Sequence, residues 1–185
     1  MPLTRTRHRF SVDEYQQMIE SGILSENDRV ELIHGEIIEK MPIGPKHSGG
    51  VIKLTQTFSR ILMDSVLISI QNPVVLADSE PEPDVTLLKP RDDYYASAKP
   101  TAADVLLLVE IADSSLDFDH DVKLPMYAQA GIREYWLINL DEDCLEVYRQ
   151  PTAQGEYARI QTFRRGQSVE LEAFPGLSIP VDQLI

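Results

Sequence analysis

The chain reaches its most apolar point in the run Val105-Leu106-Leu107-Leu108-Val109-Glu110-Ile111. Such a run indicates a strand. Alternation along it puts Leu106, Leu108 and Glu110 on one face and the other four residues on the opposite face. Glu110 therefore shares a face with two leucines, and buried glutamates are rare unless they are paired or bind a metal. Three interpretations of Glu110 are open. It is a functional carboxylate, it forms an ion pair with a nearby lysine or arginine, or it lies where the end of the strand emerges into solvent.

A second carboxylate, Asp84, closes the string Glu80-Pro81-Glu82-Pro83-Asp84 and opens the strand-like Val85-Thr86-Leu87-Leu88. Aspartate after proline is also common turn chemistry. If the strands that carry Asp84 and Glu110 are antiparallel neighbours joined by residues 89–103, the start of one lies beside the end of the other. At about 3.3 Å per residue, a parallel arrangement would separate the two carboxylates by more than ~10 Å. A shared site therefore requires the antiparallel arrangement.

A lysine completes the set of candidate functional residues. Lys123 ends the acidic stretch Asp117-Phe118-Asp119-His120-Asp121-Val122-Lys123. Two carboxylates and an ammonium are the smallest set of side chains that can hold a divalent metal beside a phosphodiester, because Mg²⁺ uses one or two protein carboxylates together with substrate phosphate. A nuclease is therefore the leading hypothesis. The alternative is an exposed lysine that balances Asp119 and Asp121.

The other elements follow from capping, turn and periodicity signals. Ser11 and Glu14 form a capping-box pattern that predicts a short helix up to Glu20, and His34-Gly35 predicts a β-hairpin turn. Further helices are predicted over about 46–65 and 122–130, the second ended by Gly131. Strands are predicted at 66–70, 73–76, 84–88, 104–111, 134–139 and 144–149. The pattern predicts an α/β (α+β) fold, with a mixed central sheet flanked by helices.

Length and composition fit one domain over residues 1–185, with residues 1–10 as a basic N-terminal arm. Cys144 is the single cysteine, which excludes an internal disulfide framework and a multi-cysteine zinc site. It falls in a predicted hairpin strand, where a small packed residue is the simpler interpretation. The chain shows neither an apolar run that could span a bilayer nor a signal-type core after its basic start. We therefore expect a cytoplasmic protein without membrane partners.

The charge balance bears on the substrate. The net charge is −13, from 17 basic and 30 acidic residues. This argues against non-specific DNA binding, because lysine and arginine supply most of that affinity. A metal-dependent nuclease can still be acidic, since bound cations and a locally basic rim reverse the field at the site. The candidates for that rim are Arg5, Arg7, Arg9, Lys46 with His47, and Arg164 with Arg165.

Several segments, taken in order and with their spacing, resemble the PD-(D/E)xK nuclease superfamily. More narrowly, the chain resembles the Uma-two family of restriction endonuclease-like proteins. The similarity extends from about Ser11 to Phe174 and implies a restriction-endonuclease-like core. The segments that carry it are Val30–Glu39, Gly44–His47, Glu82–Val85, Val109–Ser115, Asp121–Leu124 and Tyr127–Trp136.

The resemblance implies that Asp84 and Glu110 hold Mg²⁺, for which Mn²⁺ can substitute, with the carbonyl of Ile111 as a further ligand. One departure from the superfamily pattern matters: Ala112 stands where the lysine is expected. The resemblance implies that this role has migrated to Lys123 at the start of the following helix.

Three other positions follow from the same resemblance. Glu31 points away from its strand neighbours and is expected either to supply a third catalytic carboxylate or to pair with a base. His47 and Lys46, near the N-terminus of the long helix, are expected to bind substrate phosphate, although a helix-capping contact of His47 is an open alternative. Pro125 is tolerated only near a helix start, so the helix must begin close to Val122 or be distorted.

The resulting hypothesis is a Mg²⁺-dependent endonuclease that acts on nucleic acid, DNA in particular, as a homodimer. One alternative is a binding or regulatory module with the nuclease fold but without cleavage, which the acidic charge, Ala112 and Pro125 favour. Another is a homo-oligomeric interaction protein whose carboxylates form structural ion pairs. In that case the interface could be lined by aromatic side chains, namely Trp136, Tyr135, Tyr94 and Tyr95.

Overall fold

A six-stranded mixed β-sheet forms the centre of the computed structural model, which describes residues 7–25 and 27–185. Its strands lie in the order β3-β4-β5-β6-β7-β8, and β5 with β6 is the parallel pair. β1 with β2 and β9 with β10 form separate two-stranded ladders. In chain order the strands are β1 Val30–Ile33, β2 Glu36–Glu39, β3 Leu67–Ile70, β4 Val85–Leu88, β5 Val105–Ala112, β6 Glu134–Asn139, β7 Cys144–Pro151, β8 Tyr157–Arg164, β9 Ser168–Glu170 and β10 Ser178–Pro180.

Helices cover the sheet, as the sequence predicts. The α-helices are α1 Val12–Glu20, α2 Pro45–Leu62, α3 Leu116–Phe118 and α4 Leu124–Gln129. The capping box of α1 is confirmed: the Glu14 amide donates to Ser11 Oγ, and the Ser11 amide donates to Glu14 Oε2 at 2.8 Å. The helices in the described part of the chain are too short or too polar to cross a membrane.

The sheet separates two hydrophobic clusters. On one face, α2 packs through Leu54 and Phe58 against Trp136 of β6 and the C-terminal segment. On the other face, α4 packs through Tyr127 against Tyr135. The central strands are therefore covered on both sides, which explains their nearly continuous apolar sequence. Cys144 is buried in β7, as predicted.

The predicted alternation along β5 is correct from Leu107 onward and wrong before it. Leu87 pairs with Leu107, but the next residue, Leu88, pairs with Val105, so a β-bulge falls at Leu106. Because a bulge inserts an extra residue into one strand, it reverses the faces beyond it. Val105 therefore packs with Leu108 in the α4 cluster, and Leu106 packs on the α2 side.

The strand predicted at residues 73–76 does not form. The amide of Val74 donates to Pro81 O, whereas that of Val75 donates to Pro100 O. Because successive amides bond to different segments, no regular ladder develops, and only an isolated bridge between Val75 and Thr101 remains.

The helix predicted over residues 122–130 begins earlier, at Leu116. A π-helical turn, Asp119–Lys123, joins α3 to α4, and the Leu124 amide donates to Asp119 O five residues back. Pro125 has no amide to continue the regular pattern, and the wide turn accommodates this loss. Distortion, rather than a helix start at Val122, is therefore how the chain places Lys123.

A buried ion pair attaches the C-terminal segment to the sheet. Arg149 of β7 donates to Glu134 Oε1 of β6 at 2.9 Å and 2.5 Å. Glu134 also accepts from Trp136 Nε1 at 2.9 Å and from the Glu172 amide at 2.8 Å, and Arg149 donates to the carbonyl of Glu170. These contacts satisfy a carboxylate that is wholly inaccessible to solvent.

We predict that Arg149→Met lowers the free energy of unfolding by about 3–5 kcal/mol, because it leaves Glu134 buried without its counter-charge. The matched control is Arg159→Met on β8. Arg159 lies directly opposite Arg149 in the ladder but is exposed, so this substitution should change the free energy of unfolding by less than about 0.5 kcal/mol. Urea unfolding followed by circular dichroism measures both. Similar losses in the two variants would contradict a special role for the buried pair.

Candidate functional site

Asp84 and Glu110 lie side by side, because β4 and β5 are antiparallel and Val85 pairs with Val109. The amide of Asp84 donates to Glu110 Oε2 at 3.3 Å. In return, the Ile111 amide donates to Asp84 Oδ2 at 2.9 Å. The predicted antiparallel arrangement and the convergence of the two carboxylates are therefore confirmed.

Lys123 reaches this pair from the π-helical turn. Its Nζ lies 3.0 Å from Glu110 Oε1 and 3.4 Å from Glu31 Oε1. The hydroxyl of Tyr127, one turn further along, donates to the same Glu110 oxygen at 2.7 Å. Lys123 is only 8% exposed, so the alternative of an exposed, solvated lysine is wrong.

Glu31 arrives from the hairpin of β1 and β2. Leu32 packs beneath α1 with Val12 and Tyr15, so its neighbour Glu31 points the opposite way, as expected. The carboxylate of Glu31 is buried and accepts from the Glu82 amide at 3.2 Å. The hairpin thus adds a third carboxylate beside Lys123.

His47 binds Asp84 directly rather than capping its helix. Its Nε2 lies 2.8 Å from Asp84 Oδ2, and this hydrogen bond raises the pKa of His47 although burial opposes the rise. Gly50 marks a close approach of α2 to the end of β5, because a Cβ there would lie 3.0 Å from Cδ1 of Ile111 and the Ile111 side chain would have to shift by a few tenths of an ångström.

Most of the basic rim expected from the sequence lies away from the cavity around Asp84 and Glu110. His47 is the exception, because it lines the cavity and binds Asp84. Lys46 is exposed and does not line the cavity, and Arg5 is outside the described residues. The other candidates form surface ion pairs, which are Arg7 and Arg9 with Glu36, Arg164 with Glu142, and Arg165 with Asp143. The prediction is wrong for these four arginines, because the sequence does not determine which face a surface side chain occupies.

The cavity itself has a volume of about 410 Å³ and a strongly acidic lining. Eight carboxylates line it, against the four basic side chains of Arg29, Lys40, His47 and Lys123. Lys40 is paired with Glu82. Burial raises the pKa of Glu110; Lys123 opposes this shift and Asp84 adds to it. By residue count the lining therefore carries more acidic than basic side chains.

Whether these residues suit a divalent metal depends on how many protein ligands the ion requires and on which donor atoms it prefers. Among residues 7–25 and 27–185, no three His, Cys, Asp or Glu side chains form a group arranged to hold an ion. Mg²⁺ does not require such a cage, because it retains several waters and takes one or two carboxylates plus substrate phosphate. Asp84 and Glu110 supply hard oxygen donors in a lining with more acidic than basic side chains, so the residues fit Mg²⁺.

Sequence reasoning missed three contributors to the site. Tyr127 lies four residues after Lys123, a helical spacing that could have signalled a shared face. Asp119 is buried and accepts from Ser115 Oγ at 2.6 Å. Gln71 donates to Asp84 Oδ1 at 3.2 Å from a backbone with φ of 50°, and nothing in the sequence pattern singled it out.

The aromatic interface suggested as an alternative is wrong for two of its members. Trp136 and Tyr135 are 0% exposed and belong to the two core clusters. Tyr94 is 77% exposed, but it does not line the cavity. Aromatic residues in the central strands therefore serve the core.

A mixed sheet whose adjacent antiparallel strands bring two carboxylates to a buried lysine defines the class of restriction-endonuclease-like folds. Residues 12–182 match the family Uma2, described as "Putative restriction endonuclease", and the chain belongs to this family. The resemblance noted in the sequence is confirmed.

A solved structure supports the same fold. The chain is similar to "a putative nuclease belonging to DUF820" from Anabaena variabilis, with a TM-score of 0.71 and 18% sequence identity over 95% of this chain and 97% of that one. No curated protein matches the chain. The restriction-endonuclease-like mixed sheet flanked by helices is thus shown, and the family description is that of a nuclease.

We predict that Tyr127→Phe lowers the free energy of unfolding by about 1–3 kcal/mol, because Glu110 loses a buried donor. Tyr135→Phe is the matched control, since its hydroxyl is buried without a hydrogen-bond partner among the described residues; its removal should be neutral or stabilising. Urea unfolding in the presence of a chelator measures both variants. Equal effects would show that the bond to Glu110 contributes nothing specific.

Proposed function

We propose that the protein is a Mg²⁺-dependent endonuclease that hydrolyses phosphodiester bonds in DNA. The observation that carries the proposal is the convergence of Asp84, Glu110 and Lys123 in one acidic cavity. In this proposal Asp84 and Glu110 hold the ion, for which Mn²⁺ can substitute, and the carbonyl of Ile111 is an additional ligand. Family membership supports a reaction on nucleic acid.

The protein's part is to hold both carboxylates in fixed orientations. When bound, the ion polarises the scissile phosphate and lowers the pKa of a coordinated water. Asp84 is fixed by donors on both of its oxygens, from Gln71 on Oδ1 and from His47 and the Ile111 amide on Oδ2. Such hydrogen bonds around ligand side chains limit their reorientation when metal and substrate bind.

Lys123 acts in this proposal as a proton-bearing donor, not as a base. Burial alone would lower its pKa, but the carboxylates around it, with Glu110 first, outweigh that effect and raise the pKa above its usual value. Hydrolysis joins a water oxygen to phosphorus and breaks one phosphorus–oxygen ester bond, and the departing oxygen takes up a proton. The Lys123 ammonium would stabilise the charge that develops on the phosphoryl oxygens.

Two further residues have supporting roles in the proposal. Glu31 keeps Lys123 in place through its 3.4 Å ion pair and could complete the metal's coordination. His47, whose pKa is raised by its bond to Asp84, would orient that carboxylate and bring positive charge toward substrate phosphate. Lys46, exposed at the start of α2, would contact phosphate outside the cavity.

We predict that Asp84→Asn and Glu110→Gln each remove Mn²⁺ binding and abolish DNA cleavage, because each replaces an anionic ligand with a neutral amide. Isothermal calorimetry measures the binding, and gel analysis of a labelled DNA measures the cleavage. Asp92→Asn, an exposed acid outside the cavity, is the control and should retain both. Unchanged Mn²⁺ affinity in the two site variants would rule out these carboxylates as the metal ligands.

Lys123→Met should separate metal binding from catalysis. Removal of the ammonium leaves both proposed ligands in place and takes away a competing positive charge, so Mn²⁺ affinity should be retained or increased. Cleavage should fall by roughly 10²-fold or more, the usual effect of losing a transition-state donor. The same calorimetric and gel assays apply, with circular dichroism to confirm folding. A variant that cleaves at the wild-type rate would exclude Lys123 from the reaction.

The second candidate function is a nuclease-fold module that binds without cutting. The net charge of −13 and the alanine at position 112 favour it. Mn²⁺ binding that Asp84→Asn removes, without turnover of any nucleic acid, would support this alternative. The homodimer expected from the sequence stays a prediction; two-fold dimers are the commonest oligomers.

A further inference from the structure

The cavity that contains Asp84 and Glu110 has a second kind of lining besides its carboxylates. Ile38 at the end of β2, the connection Met41-Pro42-Ile43 and Phe118 of α3 line the same space. These side chains give an apolar part to a cavity whose charged lining is mostly acidic. A phosphodiester backbone is charged and polar, so it gains little from contact with such an apolar surface.

Of the apolar side chains that line the cavity, Ile38 and Phe118 pack against the α4 cluster, whereas Met41 and Ile43 do not belong to the core. Met41 is 51% exposed and Ile43 is 42% exposed, and neither is a member of the three hydrophobic clusters of the described residues. The segment is nevertheless anchored, because Arg29 Nη2 donates to Met41 O at 3.2 Å and the Lys40 amide donates to Arg29 O at 2.7 Å. Clustered apolar groups that remain exposed at a cavity mark a binding surface.

A DNA duplex cannot satisfy this lining. Its base faces are stacked inside, and an enzyme that needs contact with a base face must act on single strands or extrude the nucleotide. Duplex DNA also carries one negative charge per about 1.7 Å of its axis, whereas the cavity holds eight carboxylates. Its volume of about 410 Å³ suits a small-molecule-sized group.

We infer that the substrate is single-stranded DNA, with one unstacked base against Met41, Ile43 and Phe118 and its scissile phosphate beside Asp84 and Glu110. This inference rests on the proposed endonuclease function and specifies its substrate class. The apolar lining contributes the base contact, so that affinity does not depend on the basic rim that the cavity lacks. Lys123 and His47, together with the ion when bound, would offset the charge of the single phosphate that enters.

The test compares one labelled oligodeoxynucleotide, single-stranded or annealed to its complement, with the wild-type protein and Mn²⁺. The single strand should be cleaved roughly tenfold faster or more, in keeping with the free energy of a base contact to apolar side chains. Equal or faster cleavage of the duplex would overturn the inference while leaving the nuclease proposal intact.

Cleavage of neither form would contradict the proposed function, and the inference then has its own measurement. Fluorescence anisotropy with Ca²⁺ in place of Mn²⁺ reports binding without turnover. Tighter binding of the single strand than of the duplex would support the substrate class, and equal binding of the two would overturn it.

A double variant, Met41→Ala with Ile43→Ala, tests the lining itself. Both side chains are half exposed, so the fold and Mn²⁺ affinity should be unchanged, while the preference for single strands should fall by roughly tenfold. The control is Ile160→Ala on β8, an equally apolar exposed side chain that does not line the cavity. Wild-type preference in the double variant would overturn the assignment of these residues.

Discussion

The burial of one carboxylate, that of Glu110, is the constraint on which the rest of this structure depends. An ionised group withdrawn from water costs several kcal/mol unless charge and hydrogen bonds compensate it. Here compensation comes from three groups in two separate parts of the chain: the Lys123 ammonium and the Tyr127 hydroxyl from one helical segment, and the Asp84 amide from the start of β4. The segment that connects β5 to β6 must therefore bring its helices to the C-terminal end of β5, where the start of β4 also lies.

The surrounding elements can be understood as means of meeting that constraint. The parallel pairing of β5 with β6 requires a crossover connection, and that connection carries both Lys123 and Tyr127. The β1–β2 hairpin adds Glu31, whose carboxylate shares Lys123 with Glu110. The α2 helix approaches Ile111 closely at Gly50 and brings His47 to Asp84. Each of these contacts is long-range in sequence, so the site exists only in the completed fold.

Features set by local patterns could be predicted from the sequence, and features set by the balance between distant segments could not. The α1 capping box and the hairpin turn at His34-Gly35 could be predicted, because capping and turn chemistry act over a few residues. The antiparallel pairing of β4 with β5 was only a condition that a shared site had to meet. The bulge at Leu106 was not, since it shows only in the pairing register of two strands. Gln71 was missed because its partner, Asp84, lies 13 residues further along the chain. Tyr127 was missed because its role depends on Glu110, 17 residues earlier in the chain.

The π-helical turn at Asp119–Lys123 has a consequence for how this family of sequences can diverge. Such a turn contains one residue more than a regular helix would use over the same distance. Removing a single residue between Asp119 and Lys123 would restore the α-helical repeat and keep the flanking helices in register, but it would shorten the spacing of these two residues from four to three. Descendants of this chain can therefore exchange side chains in the segment without moving its backbone, whereas a change in its length would shift Asp119 relative to Lys123.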